Sequence, residues 1–162
     1  MDNEHRRRKP LRLKDYDYSQ AGYYFITICV KNEECILCRG EHCSPENNSK
    51  FELSQIGEVV DTAIKNIEKY YPDIRVDNYT IMPNHIHMII AIDSVDSGRT
   101  LFAPTISRVI KQFKEYVTKQ IGYSFWQKSY YDHVIRNKQS YEEIYEYIET
   151  NPLKWELDKY YT

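Results

Sequence analysis

Two histidines, His85 and His87, lie two residues apart in a stretch otherwise typical of a buried β-strand. Residues two apart in a strand share a face and lie roughly 6–7 Å apart along it. Two neutral imidazoles so placed can bind one divalent ion. The structural alternative is a pair of polar residues satisfied by hydrogen bonds at a strand start. The Pro83-Asn84 turn before them puts the pair at the sheet edge, within reach of loops and a helix, which favours a metal site.

A tyrosine and an asparagine four residues apart, Tyr147 and Asn151, form the second informative pair. Ile144 and Ile148 mark the buried stripe of a predicted helix, and the pair lies along one edge of that stripe. A tyrosine there can present its hydroxyl to a cleft while its ring stays packed. If the cleft also holds the histidines, it contains a nucleophile, two metal ligands and an amide oxygen as third ligand. The alternatives are a packed aromatic and, before Pro152, a cap for the next helix.

Length and composition indicate an ordinary globular protein. The chain has 162 residues, of which 41% are hydrophobic and 28% charged, so we expect one domain over residues 1–162, with residues 1–22 as an N-terminal arm. No apolar run approaches the ~20 residues of a membrane span, and the charged first ten residues do not form a secretory signal. We therefore expect a cytoplasmic protein without a membrane partner.

The positive charges are clustered, although the net charge of −2 gives no overall sign of nucleic-acid binding. One cluster lies in the arm and the other follows a predicted helix. Both could contact phosphates, but blocks of like charge are also common as solvated tails and helix faces. The clusters are Arg6, Arg7, Arg8 and Lys9, and Arg108, Lys111, Lys114 and Lys119.

Four cysteines fall within fifteen residues: Cys29, Cys35, Cys38 and Cys43, with His42 beside the last. A structural zinc site is one interpretation of this spacing. In a strand, however, Cys35 and Cys38 would face opposite ways, which separates the supposed ligands. Reduced structural thiols are therefore the main interpretation.

Hydrophobic periodicity predicts the order strand, helix, strand, strand, helix, strand, helix. This order is typical of a ferredoxin-like α+β sandwich, in which two helices pack on a mainly antiparallel sheet and a C-terminal helix carries Tyr147. Ser54 is the expected N-cap of the first helix, and a capping box of Ser140 and Glu143 is expected to begin the third. The second helix is expected to run from Pro104 or Thr105 to about Gln120 and to end at Gly122. The predicted strands cover residues 23–30, 74–82, 85–92 and 130–136, with residues 35–38 as a hairpin return of the first.

Residues 81–90, Ile-Met-Pro-Asn-His-Ile-His-Met-Ile-Ile, resemble the HUH motif (His-hydrophobic-His) of single-tyrosine transposases that act on single-stranded DNA. Residues 147–152, Tyr-Ile-Glu-Thr-Asn-Pro, are similar to the helix that carries their catalytic tyrosine. The resemblance is strongest to the REP-associated tyrosine transposases and runs from about residue 6 to residue 156. A lone His-x-His would be weak, whereas the two segments together are specific.

The resemblance implies a metal-dependent reaction with a covalent intermediate. Its metal ligands for Mg²⁺ or Mn²⁺ would be His85, His87 and Asn151, and the ion would polarise the scissile phosphate. Tyr147 would attack the phosphorus, form a 5′-phosphotyrosine link and free a 3′-hydroxyl. Relatives often carry glutamine where this chain has the shorter Asn151, so His133 is an alternative third ligand or a phosphate contact.

The resemblance also implies a DNA partner, namely single-stranded DNA with hairpins of REP-like repeats, bound by a monomer or a homodimer associated with the bacterial nucleoid. The arm would read bases beside a hairpin through Arg6, Arg7, Arg8 and Arg12, and Lys111 and Lys114 would follow the hairpin backbone. Two alternatives remain open. One is a hairpin-binding protein without chemistry, and the other is a metal hydrolase with water as nucleophile.

Overall fold

The computed structural model describes residues 13–39, 51–94 and 104–161. The remaining residues include several that the sequence singles out. The arm residues Arg6, Arg7, Arg8 and Arg12 and the zinc candidates His42 and Cys43 lie outside the described ranges.

Within these ranges, four strands form one antiparallel sheet in the order β2-β3-β1-β4. Strand β3 is hydrogen-bonded to β1 on one side and to β2 on the other, so it is a central strand. This arrangement confirms the predicted ferredoxin-like α+β fold. The strands are β1 (Gly22–Cys29), β2 (Ile74–Ile81), β3 (His85–Ile92) and β4 (Tyr131–Ile135).

Among the described residues, three α-helices cover the two faces of the sheet: α1 (Gln55–Tyr70), α2 (Ile106–Ile121) and α3 (Lys138–Thr150). Helices α1 and α2 enclose the large hydrophobic core, whereas α3 packs on the opposite face over a small cluster around Ile148. Short 3₁₀ turns cover Lys31–Glu33 and Pro152–Leu157. Within the described ranges, no helix has the length and apolar character that a bilayer crossing requires.

Strand β3 is buried on both faces, which explains its nearly continuous apolar sequence. Met88 and Ile90 belong to the core beneath α1 and α2, while Ile89 belongs to the cluster beneath α3. Since alternate residues share a face, His85 and His87 lie on the α3 side together with Ile89. The strand thus holds part of the core on one face and presents two imidazoles on the other.

The cap of α1 agrees with the sequence prediction, and α2 begins where the sequence predicts, with a cap of the same kind. The hydroxyl oxygens of Ser54 and Thr105 accept hydrogen bonds from the backbone N–H groups of Gly57 and Arg108, respectively. Helix α2 ends at Gly122, whose φ of 92° is the left-handed conformation that glycine adopts without strain.

The predicted hairpin return at residues 35–38 is wrong. Cys38 forms an isolated bridge with Leu53, and the Leu37 carbonyl accepts a hydrogen bond from the N–H of Ser54. Both edges of β1 are already occupied, by β3 and β4, so β1 has no free edge for a returning strand. The segment therefore pairs with the residues that precede α1.

The predicted capping box at Ser140 is also wrong. Helix α3 begins at Lys138, and its N-cap is Asn137, whose side-chain oxygen accepts the backbone N–H of Ser140 at 2.8 Å. Asparagine is as good an N-cap as serine. A cap at Asn137 also begins the helix directly after β4, so the earlier start is the shorter connection.

A glycine inside α1 has a packing reason. A β-carbon on Gly57 would overlap the carbonyl oxygen of Leu37. Leu37 belongs to residues 35–38, the segment that was expected to form the hairpin return. Glycine destabilises the helix by about 1 kcal/mol relative to alanine. It is nevertheless required at this position, because the backbone of α1 contacts the backbone of Leu37.

Candidate active site

The two histidines at the start of β3 converge through one nitrogen each. The Nε2 atoms of His85 and His87 are 3.0 Å apart, and the ring centroids are 4.5 Å apart. Both side chains are buried. Two imidazole nitrogens at this separation can share one proton or one cation.

Hydrogen bonds to the Nδ1 atoms orient both imidazole rings, so that their Nε2 atoms face each other. The Asn84 amide donates through Nδ2 to the carbonyls of Tyr160 (2.7 Å) and Glu33 (3.2 Å), so its Oδ1 is the acceptor for His85 Nδ1 at 2.8 Å. His85 therefore carries its proton on Nδ1 and presents a lone pair on Nε2. His87 Nδ1 is 2.8 Å from the Thr27 hydroxyl, which can donate or accept and so serves either tautomer.

Burial keeps both imidazoles in the neutral, metal-binding form. Desolvation, followed by the positive charge of Lys159, lowers the pKa of His85 to about 3. Desolvation, followed by the neighbouring His85, lowers the pKa of His87 well below its ordinary value. Ligand histidines bind metal only when neutral, so at neutral pH neither needs to lose a proton first.

The phenol of Tyr147 reaches the histidine pair. Its Oη is 3.3 Å from His87 Nε2 and 3.5 Å from Asp158 Oδ2. The ring packs edge-on against Phe25 at a centroid distance of 6.1 Å, and the residue is 40% exposed. Burial, followed by the charge of Asp158, raises the pKa of Tyr147 to about 12. The predicted meeting of the tyrosine and the histidines is therefore present, with the phenol protonated at neutral pH.

A carboxylate that the sequence did not indicate completes this cluster. Ligand atoms of His85, His87 and Asp158 all lie within 4.8 Å of one another. Among the described parts of the chain, no other group of three or more histidine, cysteine, aspartate or glutamate residues brings its ligand atoms this close together. Asp158 follows the 3₁₀ turn Pro152–Leu157, and no local pattern distinguishes it from other surface acids in the sequence.

Asn151 lies at the C-terminal end of α3, one turn after Tyr147, and its backbone N–H donates to the carbonyl of Tyr147 at 2.9 Å. The side chain is buried at 2% exposure and lies close enough to the Tyr147 phenol to lower its pKa, against the larger raising effects of burial and Asp158. Its Oδ1 and Nδ2 form no well-aligned hydrogen bond with the described residues. A buried polar group left unpaired costs about 1–3 kcal/mol. The amide is therefore available for a ligand.

His133, the alternative ligand, lies on the edge strand β4 opposite Phe25 and is exposed. It is not part of the group formed by His85, His87 and Asp158. Its exposure and its place on the edge strand fit a phosphate contact better than a buried metal ligand.

The donor atoms at this site fit a divalent ion. Two neutral imidazole nitrogens and a carboxylate lie within 4.8 Å of one another, and the buried Asn151 amide lies one helical turn after Tyr147. Imidazoles favour transition metals, whereas carboxylate and amide oxygens suit Mg²⁺ and Mn²⁺. A mixed nitrogen and oxygen set is compatible with either of the ions expected from the sequence.

The two predicted lysines of α2 border one groove of about 820 Å³, with Trp126 in its wall. Lys114 Nζ donates to the carbonyls of Gln127 and Ser129, at 2.9 and 3.0 Å, so it holds the loop before β4. Lys111 is exposed and only 3.8 Å from Glu115. Five lysines and one glutamate line the groove: Lys31, Lys111, Lys114, Lys119, Lys128 and Glu115.

Three further residues were not identified as functional from the sequence: Asn84, Thr27 and Asp158. Asn84 lies inside the Met-Pro-Asn-His segment, so its position beside His85 was a usable signal. Thr27 became identifiable only through the strand register, which pairs it with His87.

Comparisons with known proteins point to one family. The family model described as "Transposase IS200 like" matches residues 43–151. An uncharacterized protein of Haemophilus influenzae is 37% identical, over 95% of this chain and 93% of its own length. The REP-associated tyrosine transposase of Escherichia coli is 23% identical, over 85% of this chain and 70% of its own length.

A solved structure, described as a REP-associated tyrosine transposase bound to a REP hairpin, has the same fold. Its TM-score to this chain is 0.65 at 21% identity, covering 91% of this chain and 76% of that one. At this level of identity the likeness shows the fold, and the family assignment depends on the sequence matches. The family model spans most of the chain and the Haemophilus influenzae relative nearly all of it, and the chain belongs to the IS200-like transposase family.

Proposed function

We propose that the protein is a metal-dependent endonuclease and strand transferase of single-stranded DNA, with Tyr147 as its nucleophile. The observation that carries this proposal is the distance of 3.3 Å between Tyr147 Oη and His87 Nε2. One phosphate placed there can contact both the phenol and an ion held by the histidines. Membership of a transposase family supports the same class of reaction.

In the proposed reaction, Tyr147 Oη attacks the scissile phosphorus. The Oη–P bond forms, the bond between phosphorus and the 3′ oxygen breaks, and the phenolic proton is lost while the 3′ oxygen gains one. The 5′ end of the strand is then held as a phosphotyrosine. Since this step exchanges one phosphodiester for another, a second 3′-hydroxyl can attack the link and rejoin the strand without ATP.

His85, His87 and Asn151 are the proposed ligands of Mg²⁺ or Mn²⁺. The ion, when bound, supplies Lewis-acid polarisation of the phosphate. Asn84 and Thr27 hold the two imidazoles in position, and burial keeps the imidazoles neutral. Phe25 stacks on His87 at a centroid distance of 5.2 Å and limits how far that ring can turn.

The proposed substrate is single-stranded DNA beside a hairpin, in keeping with the solved relative that is bound to a REP hairpin. The lysine-lined groove supports this partner because its lining is strongly positive. Lys111 has its ammonium in solvent and is the better candidate for a phosphate contact, whereas Lys114 is occupied by the two loop carbonyls. Arg6, Arg7, Arg8 and Arg12 are proposed to read the bases next to the hairpin.

The test uses the full chain, Mn²⁺ or Mg²⁺, and labelled single strands from the DNA that flanks its gene. We expect a protein–DNA adduct that survives denaturing electrophoresis and is absent in Tyr147→Phe. Hairpin binding without an adduct in the wild type would instead identify a binding protein. Cleavage that persists in Tyr147→Phe and leaves free 5′-phosphates would identify a hydrolase with water as nucleophile.

A further inference from the structure

We infer that Asp158 is a metal ligand of this site, so that the segment after α3 completes the centre with a carboxylate. The inference deepens the proposed function, because it assigns a ligand to the same metal site. It depends on metal binding by the histidines and does not depend on strand transfer.

The position of Asp158 is the first argument. Its carboxylate and the two histidine nitrogens lie within 4.8 Å of one another, as the ligands of one ion must. Asp158 Oδ2 is also 3.5 Å from Tyr147 Oη. The carboxylate therefore faces the same point as the imidazoles and the phenol.

The orientation of the carboxylate is set by its own backbone. Asp158 Oδ1 accepts the N–H of Tyr160 at 2.8 Å, and the Asp158 carbonyl accepts the N–H of Tyr161 at 3.0 Å. These bonds fix one oxygen within the turn, while Oδ2 faces the phenol. A ligand that is oriented before binding loses little rotamer freedom when the ion arrives.

The segment that carries Asp158 is anchored to the residues that hold the histidines. Asn84 Nδ2 donates to the Tyr160 carbonyl at 2.7 Å, and the ring of Tyr160 packs on His85 at a centroid distance of 4.5 Å. At the other end of the segment, Trp155 is buried in the main core. One amide, Asn84, thus connects a ligand on β3 to the turn that presents Asp158.

Charge is the last argument. The histidines and Asn151 are all neutral ligands, so they leave a buried divalent ion uncompensated. Lys159 adds a positive charge nearby, with its Nζ 4.8 Å from the centre of the Tyr160 ring. Asp158 is the anionic member of the cluster, and a hard divalent ion prefers such an oxygen.

The experiment is a calorimetric titration of the full-length protein with Mn²⁺ alone. Asp158→Asn removes the charge and keeps the oxygen that accepts the Tyr160 N–H, so the turn is retained. We expect its Mn²⁺ affinity to fall by about tenfold or more. The matched control is Glu156→Gln, which removes the same charge from an exposed residue of the same segment and should leave the affinity unchanged. Thermal melts check that both variants fold.

Three outcomes would overturn the inference: wild-type affinity in Asp158→Asn, equal losses in Asp158→Asn and Glu156→Gln, or no Mn²⁺ binding by the wild type. If Asn151→Ala alone weakens binding, the amide is the third ligand. Failure of the proposed function has a different signature. In that case Mn²⁺ binds through Asp158 while no phosphotyrosine adduct forms on single-stranded DNA.

Discussion

The two faces of the sheet differ in what they bury. Beneath α1 and α2 lies a large apolar core that includes Tyr24, Ile26 and Ile90. Beneath α3 the buried cluster is limited to Ile89, Ile135 and Ile148, and beyond it the same face carries the polar site. The face beneath α1 and α2 therefore supplies most of the hydrophobic stabilisation. The face beneath α3 can bury imidazoles and an amide, because the fold depends less on apolar packing there.

This division follows from the alternation of β3. A shift of one residue in its pairing would exchange the faces of every side chain, and the histidines would then enter the large core. The apolar residues that face α1 and α2 therefore fix the register on which the ligand pair depends. Substitutions on the two faces should separate chemistry from stability.

The largest effect is expected for Tyr147→Phe. The change removes only the hydroxyl, and the ring can keep its contacts with Phe25 and His87. We expect the covalent adduct to fall by at least about 1000-fold, measured on denaturing gels, with the melting temperature nearly unchanged. Tyr145→Phe, at an exposed tyrosine of the same helix, is the matched control. An adduct that survived in Tyr147→Phe would contradict the assignment.

The next effect is on stability and compares the faces directly. Ile90→Ala opens a cavity in the large core and should lower the free energy of unfolding by about 2–5 kcal/mol. Ile148→Ala should cost less, because α3 rests on a small cluster and can settle onto the sheet. Urea titrations measure both values. Adduct formation should be retained in folded Ile90→Ala. It should be reduced in Ile148→Ala, because Ile148 lies on α3, the helix that carries the proposed nucleophile Tyr147. The reverse pattern would contradict the assignment of stability to one face and chemistry to the other.

A smaller effect is expected for Asn84→Ala, on the α3 side. The change removes the acceptor of His85 Nδ1 and both donations by the amide. We expect Mn²⁺ affinity to fall by about 10–100-fold, as measured by calorimetry. Asn84→Asp keeps an acceptor for the histidine and should lose less affinity. Equal losses in the two variants would show that this hydrogen bond does not position the ring.

The smallest effect concerns the lysine-lined groove, whose lining does not include His85, His87 or Asp158. Lys111→Ala should lower the slope of log affinity against log salt for hairpin DNA by about 0.9, as measured by fluorescence anisotropy. Lys65→Ala removes an exposed lysine of α1 and should leave the slope unchanged. If the two variants behave alike, the groove is not the phosphate-binding surface.

Much of the fold was predictable because its signals are local. The Ser54 cap, the Gly122 end and the turn before His85 each depend on a few neighbouring residues. The two errors arose where the sequence allowed more than one arrangement. Residues 35–38 can extend as a strand, but both edges of β1 are occupied by β3 and β4. Asn137 is as good an N-cap as Ser140, and it lies closer to the end of β4.

The site was predictable only in part, for the same reason. His85, His87 and Tyr147 stand in sequence patterns with a chemical meaning. Asp158 does not, because its position depends on the turn of residues 152–157 and on the bond between Asn84 and Tyr160. A residue that tertiary contacts bring to a site shows no periodic pattern in the sequence. Asp158, the inferred ligand, therefore could not be distinguished from a surface acid.

The central place of β3 has a kinetic consequence. Its amide hydrogens are bonded on both sides and covered on both faces, so they should exchange with solvent only when the whole molecule unfolds. Helix α3 has a far smaller interface and should open in partial excursions. The two proposed metal ligands thus lie on the strand expected to exchange most slowly, while the proposed nucleophile lies on the helix expected to open first. In the proposed reaction, such opening would let a phosphotyrosine move with its DNA end while the ion stays in place.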